Sequence, residues 1–280
     1  MAGCGCDVRA CRSELRLDNL RLDFHNPYVF VKSQWSWHPA VFVTYRVLVA
    51  VYLAGVTCFD GVYHGLSLDH RYKVLLYLPN LTFVLIAGYF VLMATVTVFY
   101  NLPGSSYTSL LRRTLPWYLK LAWLLYNTTA ATSVLVTVVH WTLVRETNQQ
   151  TIDFVIDVNK YILNVAFLFI ELIFSGVPVR ILHGIYPMVW VALYFVMLVV
   201  YWAMGGTGVN GETWVYVFID YDNSWGLAVA YSLGAAFVAA PIAHCLWFVV
   251  YIIRSNIVCT PCSRGSARAP LAAESETTPL

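Results

Sequence analysis

Two apolar runs set almost back to back constrain this chain more than any other feature. Residues 158–176 and 184–206 each come near the roughly 20 residues that cross a bilayer as a helix. Only Val177–His183 separates them, and that link carries a helix breaker, Pro178, and a fixed cation, Arg180. A link so short predicts two antiparallel helices packed side by side. The first run also holds Lys160, Tyr161, Asn164 and Glu171 at hydrocarbon depth. Such groups are costly there unless they face protein, so with Arg180 and His183 they are the membrane-embedded polar candidates for a packing contact or a site.

Four further runs repeat the pattern, near 40–60, 74–100, 117–144 and 226–253. The chain is 59% hydrophobic and 11% charged over 280 residues, against about 25% charged in a soluble domain. The expected fold class is therefore an all-α integral membrane protein, a six-transmembrane-helix bundle. Residues 39–254 form the membrane domain, 1–38 a cytosolic tail with an interfacial segment, and 255–280 a disordered cytosolic tail. Pro79 and Asn80 are expected to interrupt the second span. Arg46, near the start of the first, is expected to snorkel to the headgroups. Trp35 and Trp37 suit the same level. Asn127, Thr128 and Thr129 suit hydrogen bonds between helices, and the small residues from Gly234 to Ala240 suit close packing.

Lys and Arg gather on one side of these spans, at Arg9 to Lys32, Arg112, Arg113, Lys120, Arg180, Arg254, Arg264 and Arg268. Arg71, Lys73 and Arg145 fall on the other. The bias places both termini in the cytosol, with the plasma membrane as the expected location. The loop 205–225, rich in Gly and aromatics, is expected to fold against the opposite membrane face. Cys4, Cys6, Cys11, Cys259 and Cys262 lie in the basic tails, which leaves two readings open: S-palmitoylation or free reduced thiols. A net charge of +2 does not point to nucleic acid, and seven cysteines do not make a disulfide scaffold in a chain of this size. There is no dinucleotide fingerprint, phosphate loop or HExxH helix, so no cofactor or metal is expected. The expected partners are the bilayer itself and other membrane proteins or lipids.

Several strings, taken in order, resemble the rolling stone family of multi-span membrane proteins. They are Ser33–Trp35, Tyr45–Arg46, Leu121–Asn127, Gly176–His183, Ile185–Pro187 and Tyr201–Thr207. The resemblance covers roughly residues 28–254. It implies a six-helix membrane protein with a role in cell–cell fusion, since the namesake is associated with myoblast fusion in muscle development. It also suggests a distant similarity to the androgen-induced gene 1 family, threonine hydrolases of fatty acid esters of hydroxy fatty acids that use an intramembrane Thr and His. On that alignment the Thr falls at Pro79 and the His at Tyr161. Proline has no nucleophile, and a phenol of pKa near 10 is a poor base at neutral pH.

The expected function is thus a non-enzymatic, rolling stone-like membrane protein acting in cell–cell fusion or membrane organisation. The alternative is an intramembrane threonine hydrolase that uses Thr82, one turn beyond Pro79, with His140. A third reading is a carrier with Lys160 and Glu171 lining a polar cavity.

Overall fold

The computed structural model describes residues 15–67, 71–102, 115–144, 151–209 and 211–266; Cys4, Cys6 and Cys11 and the side chains of Cys259 and Cys262 lie outside the described residues. Among these residues the chain is helical with no sheet. Helix α1 is Pro39–Val62, α2 Leu78–Asn101 and α3 Trp117–Val139. Helix α4 joins Thr151–Asp157, the π-helical Val158–Leu163 and Asn164–Phe174. Helix α5 is Ile185–Ala203. Helix α6 joins Trp225–Gly234, the π-helical Ala235–Ala239 and Ala240–Ser266.

Five of these are long and apolar enough to cross a membrane: α1, α2, α3, α5 and α6. The remaining run, α4, is helical from end to end but carries Asp153, Asp157, Lys160 and Glu171, and it is not among the five. The second run is broken at Tyr77, just before Pro79, and not within the helix that follows. Pro79 occupies the first turn of α2, where proline's missing N–H has no intrahelical partner to lose. The preceding Arg71–Leu76 winds as a separate 3-10 helix.

The two runs on either side of the link are not packed side by side. Ser175–Arg180 is extended, and Ser33 bridges to Ser175 in antiparallel fashion. An extended residue spans up to about 3.5 Å, so six cross a bundle rather than turn a corner. In consequence α4 packs on α3, while the main neighbours of α5 are α3 and α6.

A helix end leaves its last carbonyls without intrahelical partners, and at the end of α4 they are met from afar. Trp35 Nε1 donates to Ile173 O at 2.8 Å and Ser33 Oγ to Phe174 O at 3.0 Å. Arg254 Nη1 donates to Leu172 O at 2.7 Å and to Ser175 O at 2.9 Å. Trp37 packs edge-on against Phe174. So the two tryptophans hold the end of α4 as well as suiting an interface.

The same end of the bundle binds the N-terminal segment. Arg180 donates to the carbonyls of Asn19, Arg21 and Asp23 at 3.3, 3.2 and 3.1 Å. His183 Nε2 lies 3.1 Å from Asn19 O, and Tyr186 donates to Leu20 O at 2.5 Å. Trp123, fully buried, donates to Pro178 O at 2.6 Å and lies under the Arg180 guanidinium. Residues 19–23 are therefore sewn to this end of the bundle by Arg180, which reads a run of backbone carbonyls, together with His183 and Tyr186.

Lys120 lies 2.5 Å from Asp23 and holds that exposed carboxyl below its ordinary value of 3.8. This contact is fully present above that value and is lost as pH falls through the lowered one. The charge-neutral carbonyl contacts of Arg180 carry no such dependence. Arg180→Ala should therefore free residues 15–24 at all pH values, read as faster limited proteolysis within that segment while the membrane helices stay resistant.

Candidate functional site: a buried ion pair and an aromatic cavity

Two polar centres occupy opposite ends of the bundle. At the end near the link, Arg46 of α1 and Glu171 of α4 form a salt bridge with neither side chain exposed. Arg46 does not snorkel. Its Nη1 donates to Phe30 O and to Thr97 Oγ1, each at 2.6 Å, and its guanidinium lies over the Phe42 ring. Tyr89 donates to Glu171 Oε1 at 3.1 Å. One charge thus joins α1, α2, α4 and the Tyr28–Val31 turn. Glu171 Oε2 and the Tyr45 hydroxyl, both buried, have no hydrogen-bond partner.

Nearer the other end, Asp60 Oδ1 accepts from Lys160 Nζ at 2.8 Å and lies 2.7 Å from His64 Nδ1. Tyr52 donates to Asn159 at 2.5 Å. Lys160 and Glu171 are each held by an opposite charge from α1, and neither lines the cavities described below. Asn127 and Thr129 also depart from expectation. Each bonds a carbonyl four residues back in its own helix, at 2.8 and 2.7 Å, instead of a neighbouring helix.

A cavity of about 560 Å³ opens at the end where 205–225 folds back. This is the size of a small-molecule site, about 300–1,000 Å³. Its walls are contributed by α2, α3, α4, α5, α6 and the strip Trp214–Ile219. A sealed, empty void of this volume would cost on the order of 10 kcal/mol at about 24 cal/mol per Å³.

Three π-helical turns converge on it. His140–Val144 continues α3 and supplies His140 and Leu143; Val158–Leu163 supplies Tyr161; Ala235–Ala239 supplies Ala235 and Ala239. A π turn widens the helix by one residue and re-aims the side chains beyond it, a feature frequent at functional sites. The His140 ring stacks on Tyr161, centroids 3.7 Å apart and nearly parallel. His140 Nε2 lies 3.4 Å from Asp157 Oδ2, within ion-pair reach but without hydrogen-bond geometry, and Nδ1 has no partner. His140 is buried.

A tyrosine pair, Tyr194 buried and Tyr216 partly buried, stands in the cavity wall. Tyr194 donates to Leu76 O at 2.7 Å, and the N–H of Leu78 donates to the Tyr216 hydroxyl at 3.1 Å, which satisfies a free donor at the start of α2. Burial pushes the Tyr216 phenol up to about 12 and raises Tyr77 as well, so both stay neutral hydroxyls. The returning loop is ordered by Lys73, which donates to Thr207 and to Gly208 O at 2.9 and 2.8 Å.

The sequence candidates separate cleanly. Pro79, His140 and Tyr161 line the cavity together. Thr82 is fully buried outside that lining, and its hydroxyl has no hydrogen-bond partner, so Thr82 and His140 are not bonded to one another. Asn164 is fully buried, its Oδ1 accepting from Val165 N–H at 2.5 Å and its Nδ2 unpartnered. Arg180 and His183 serve the link. Asp60, Tyr194, Tyr216 and Arg254 were not singled out from sequence. Asp60 and His64 stand four apart on one helical line, a readable signal. The tyrosines carry none, because their role depends on which helices meet. Among the described residues no group of three or more His, Cys, Asp or Glu could hold a metal ion.

Fold and site together define a multi-pass helical membrane protein with an internal ion pair and an aromatic-walled cavity. Comparison with known proteins places it further: the chain belongs to the rolling stone family, whose model, described as Protein rolling stone, matches residues 6–258. It is 24% identical over 224 residues to Protein rolling stone of Drosophila melanogaster, a match covering 76% of this chain and 80% of that protein. No solved structure matches the chain.

Removing one partner of a buried ion pair leaves the other charge stranded, at a cost of about 3–5 kcal/mol. Arg46→Met should lower the thermal unfolding temperature sharply in detergent, and Arg46→Met with Glu171→Met should recover most of the loss. Tyr216→Phe deletes the acceptor of the Leu78 N–H and should cost about 1–3 kcal/mol in the same measurement.

Proposed function

We propose that this chain is a non-enzymatic, six-span membrane protein of the rolling stone type, acting at the plasma membrane in cell–cell fusion, as in myoblasts, or in membrane organisation. In this reading α4 is the sixth span. Its Lys160 and Glu171 are each neutralised by α1, which removes most of the penalty that keeps charged runs out of a bilayer. Both termini then face the cytosol, the 39–254 bundle is the membrane domain, and 1–38 and 255–280 flank it.

One observation carries the non-enzymatic reading. Pro79 and Tyr161, where the resemblance to threonine hydrolases would put the nucleophile and the base, face the same cavity. At those two positions the cavity offers a saturated pyrrolidine ring and a phenol where acyl transfer needs a nucleophilic hydroxyl and an imidazole. His140, the nearest base, is stacked on Tyr161, and Thr82 stands outside the lining. The family match supports the fusion reading through the namesake alone.

The purified, monodisperse protein should not turn over a fatty acid ester of a hydroxy fatty acid. Turnover that Thr82→Ala or His140→Ala abolishes would overturn the reading and establish the hydrolase. In a cell-mixing assay, loss of the chain from fusing cells should reduce content exchange without changing cell adhesion; unchanged exchange removes the fusion role.

A further inference from the structure

The cavity has chemistry that the fusion reading does not use. Among the described residues that line it there is no Asp, Glu, Lys or Arg. A phosphate or carboxylate headgroup would find no fixed cation, and a quaternary ammonium no fixed anion. Water is a poor occupant as well. At about 30 Å³ each, 560 Å³ holds on the order of 20 waters, and each needs two to four polar partners. The walls are mostly aliphatic and aromatic, with polar tips confined to a few tyrosines, Trp214 and His140.

Those tips leave hydrogen-bonding capacity unspent. His140 is 95% buried, lines the cavity, and has no partner at Nδ1. The Tyr216 hydroxyl accepts from Leu78 N–H at 3.1 Å, and because the Tyr194 proton goes to Leu76 O, the Tyr216 proton has only the long 3.4 Å contact to the Tyr194 oxygen. A donor and a second polar atom thus both line an otherwise apolar chamber.

The cavity also borders a lipid-facing crevice. A second, almost wholly apolar crevice of about 410 Å³ lies between α5 and α6. It is bounded by Val196, Val200, Leu233 and Phe237, each more than half exposed and so facing lipid in a membrane. Phe195 lines both spaces. On the α6 side the wall is thin, because Gly234 and Ala235 face the cavity while Leu233 and Ala236 face the crevice. The π turn Ala235–Ala239 sits at this wall.

We infer that the cavity binds a neutral amphiphile, an extended apolar body with one small hydrogen-bonding end, admitted sideways from the bilayer past Phe195. The polar end sits at His140 and Tyr216, and the apolar body extends toward the α5–α6 crevice. A sterol and a single-chain alcohol share this chemistry.

The test uses the full chain in nanodiscs with two clickable photoreactive probes, a diazirine sterol and a diazirine long-chain alcohol, and peptide mapping of the adducts. At least one probe should label saturably, with adducts on segments 135–144, 194–195 or 230–239. The unlabelled neutral lipid should compete, and lysophosphatidate should compete at least roughly tenfold more weakly, about 1.4 kcal/mol. Which probe labels identifies the source. Ala235→Phe, which fills the chamber, should cut labelling roughly tenfold at an unchanged elution profile. Phe195→Ala, which opens the wall, should speed it. If the filled variant does not fold, the wild-type adduct map and the competition decide. Non-saturable labelling by both probes, adducts confined to other segments, or equal competition by the anionic lipid would each overturn the inference. None of these readouts depends on cell fusion or ester turnover, so the inference and the proposed function fail separately.

Discussion

The contact on which the rest of the structure depends is the one between Arg46 and Glu171. An isolated charge in a low-dielectric interior costs several kcal/mol even after relaxation, and a pair is tolerated only when its remaining donors and acceptors are also met. Here they largely are: Phe30 O, Thr97 and the Phe42 ring serve the cation, and Tyr89 serves the anion. Because those partners come from three helices and the Tyr28–Val31 turn, satisfying one charge fixes the relative depth of all of them. Apolar packing alone would let helices slide; a guanidinium with named acceptors does not. The Asp60–Lys160 contact repeats the device between α1 and α4 nearer their other ends. Two such ties hold a run that carries too many charges to read as an ordinary span.

The link between α4 and α5 solves a different problem. A helix that stops inside protein must have its last carbonyls answered. At Leu172, Ile173 and Phe174 the answers come from Arg254 at the far end of the chain and from Ser33 and Trp35 before the first span. The extended Ser175–Arg180 then carries the chain across to where Arg180 collects the carbonyls of residues 19–23. Beginning, middle and end of the sequence meet there in one hydrogen-bonded layer, which leaves the opposite end of the bundle free to open. There the π turns widen α3, α4 and α6, and the loop 205–225 closes over them to make a chamber instead of a packed core.

How much of this was legible varies with the range of the physics involved. The runs near 40–60, 117–144, 184–206 and 226–253 reappear as helices because apolar length is a local property. The membrane character follows for the same reason, and the ordered 205–225 loop follows from its aromatic content. Arg46 was misplaced because snorkelling is the favourable choice for a lone arginine, and nothing near it in sequence announces Glu171, 125 positions away. Asn127 and Thr129 were misassigned because a polar side chain in a helix has two competing acceptors, and the carbonyl four residues back is always within reach. The short link looked like a hairpin because its length was visible, while the bridge that holds it extended, Ser33 to Ser175, was not.

The sequence by itself determined the class of protein, the places where helices cross apolar surroundings, and the need for each buried charge to find a partner. Those follow from composition and spacing, which the chain carries whether folded or not. Only the tertiary structure decided which partner each charge took, that Pro79, His140 and Tyr161 share one chamber, and that its described walls are free of fixed charge. Each of these depends on residues brought together from distant segments, and contact at that range is a property of packing.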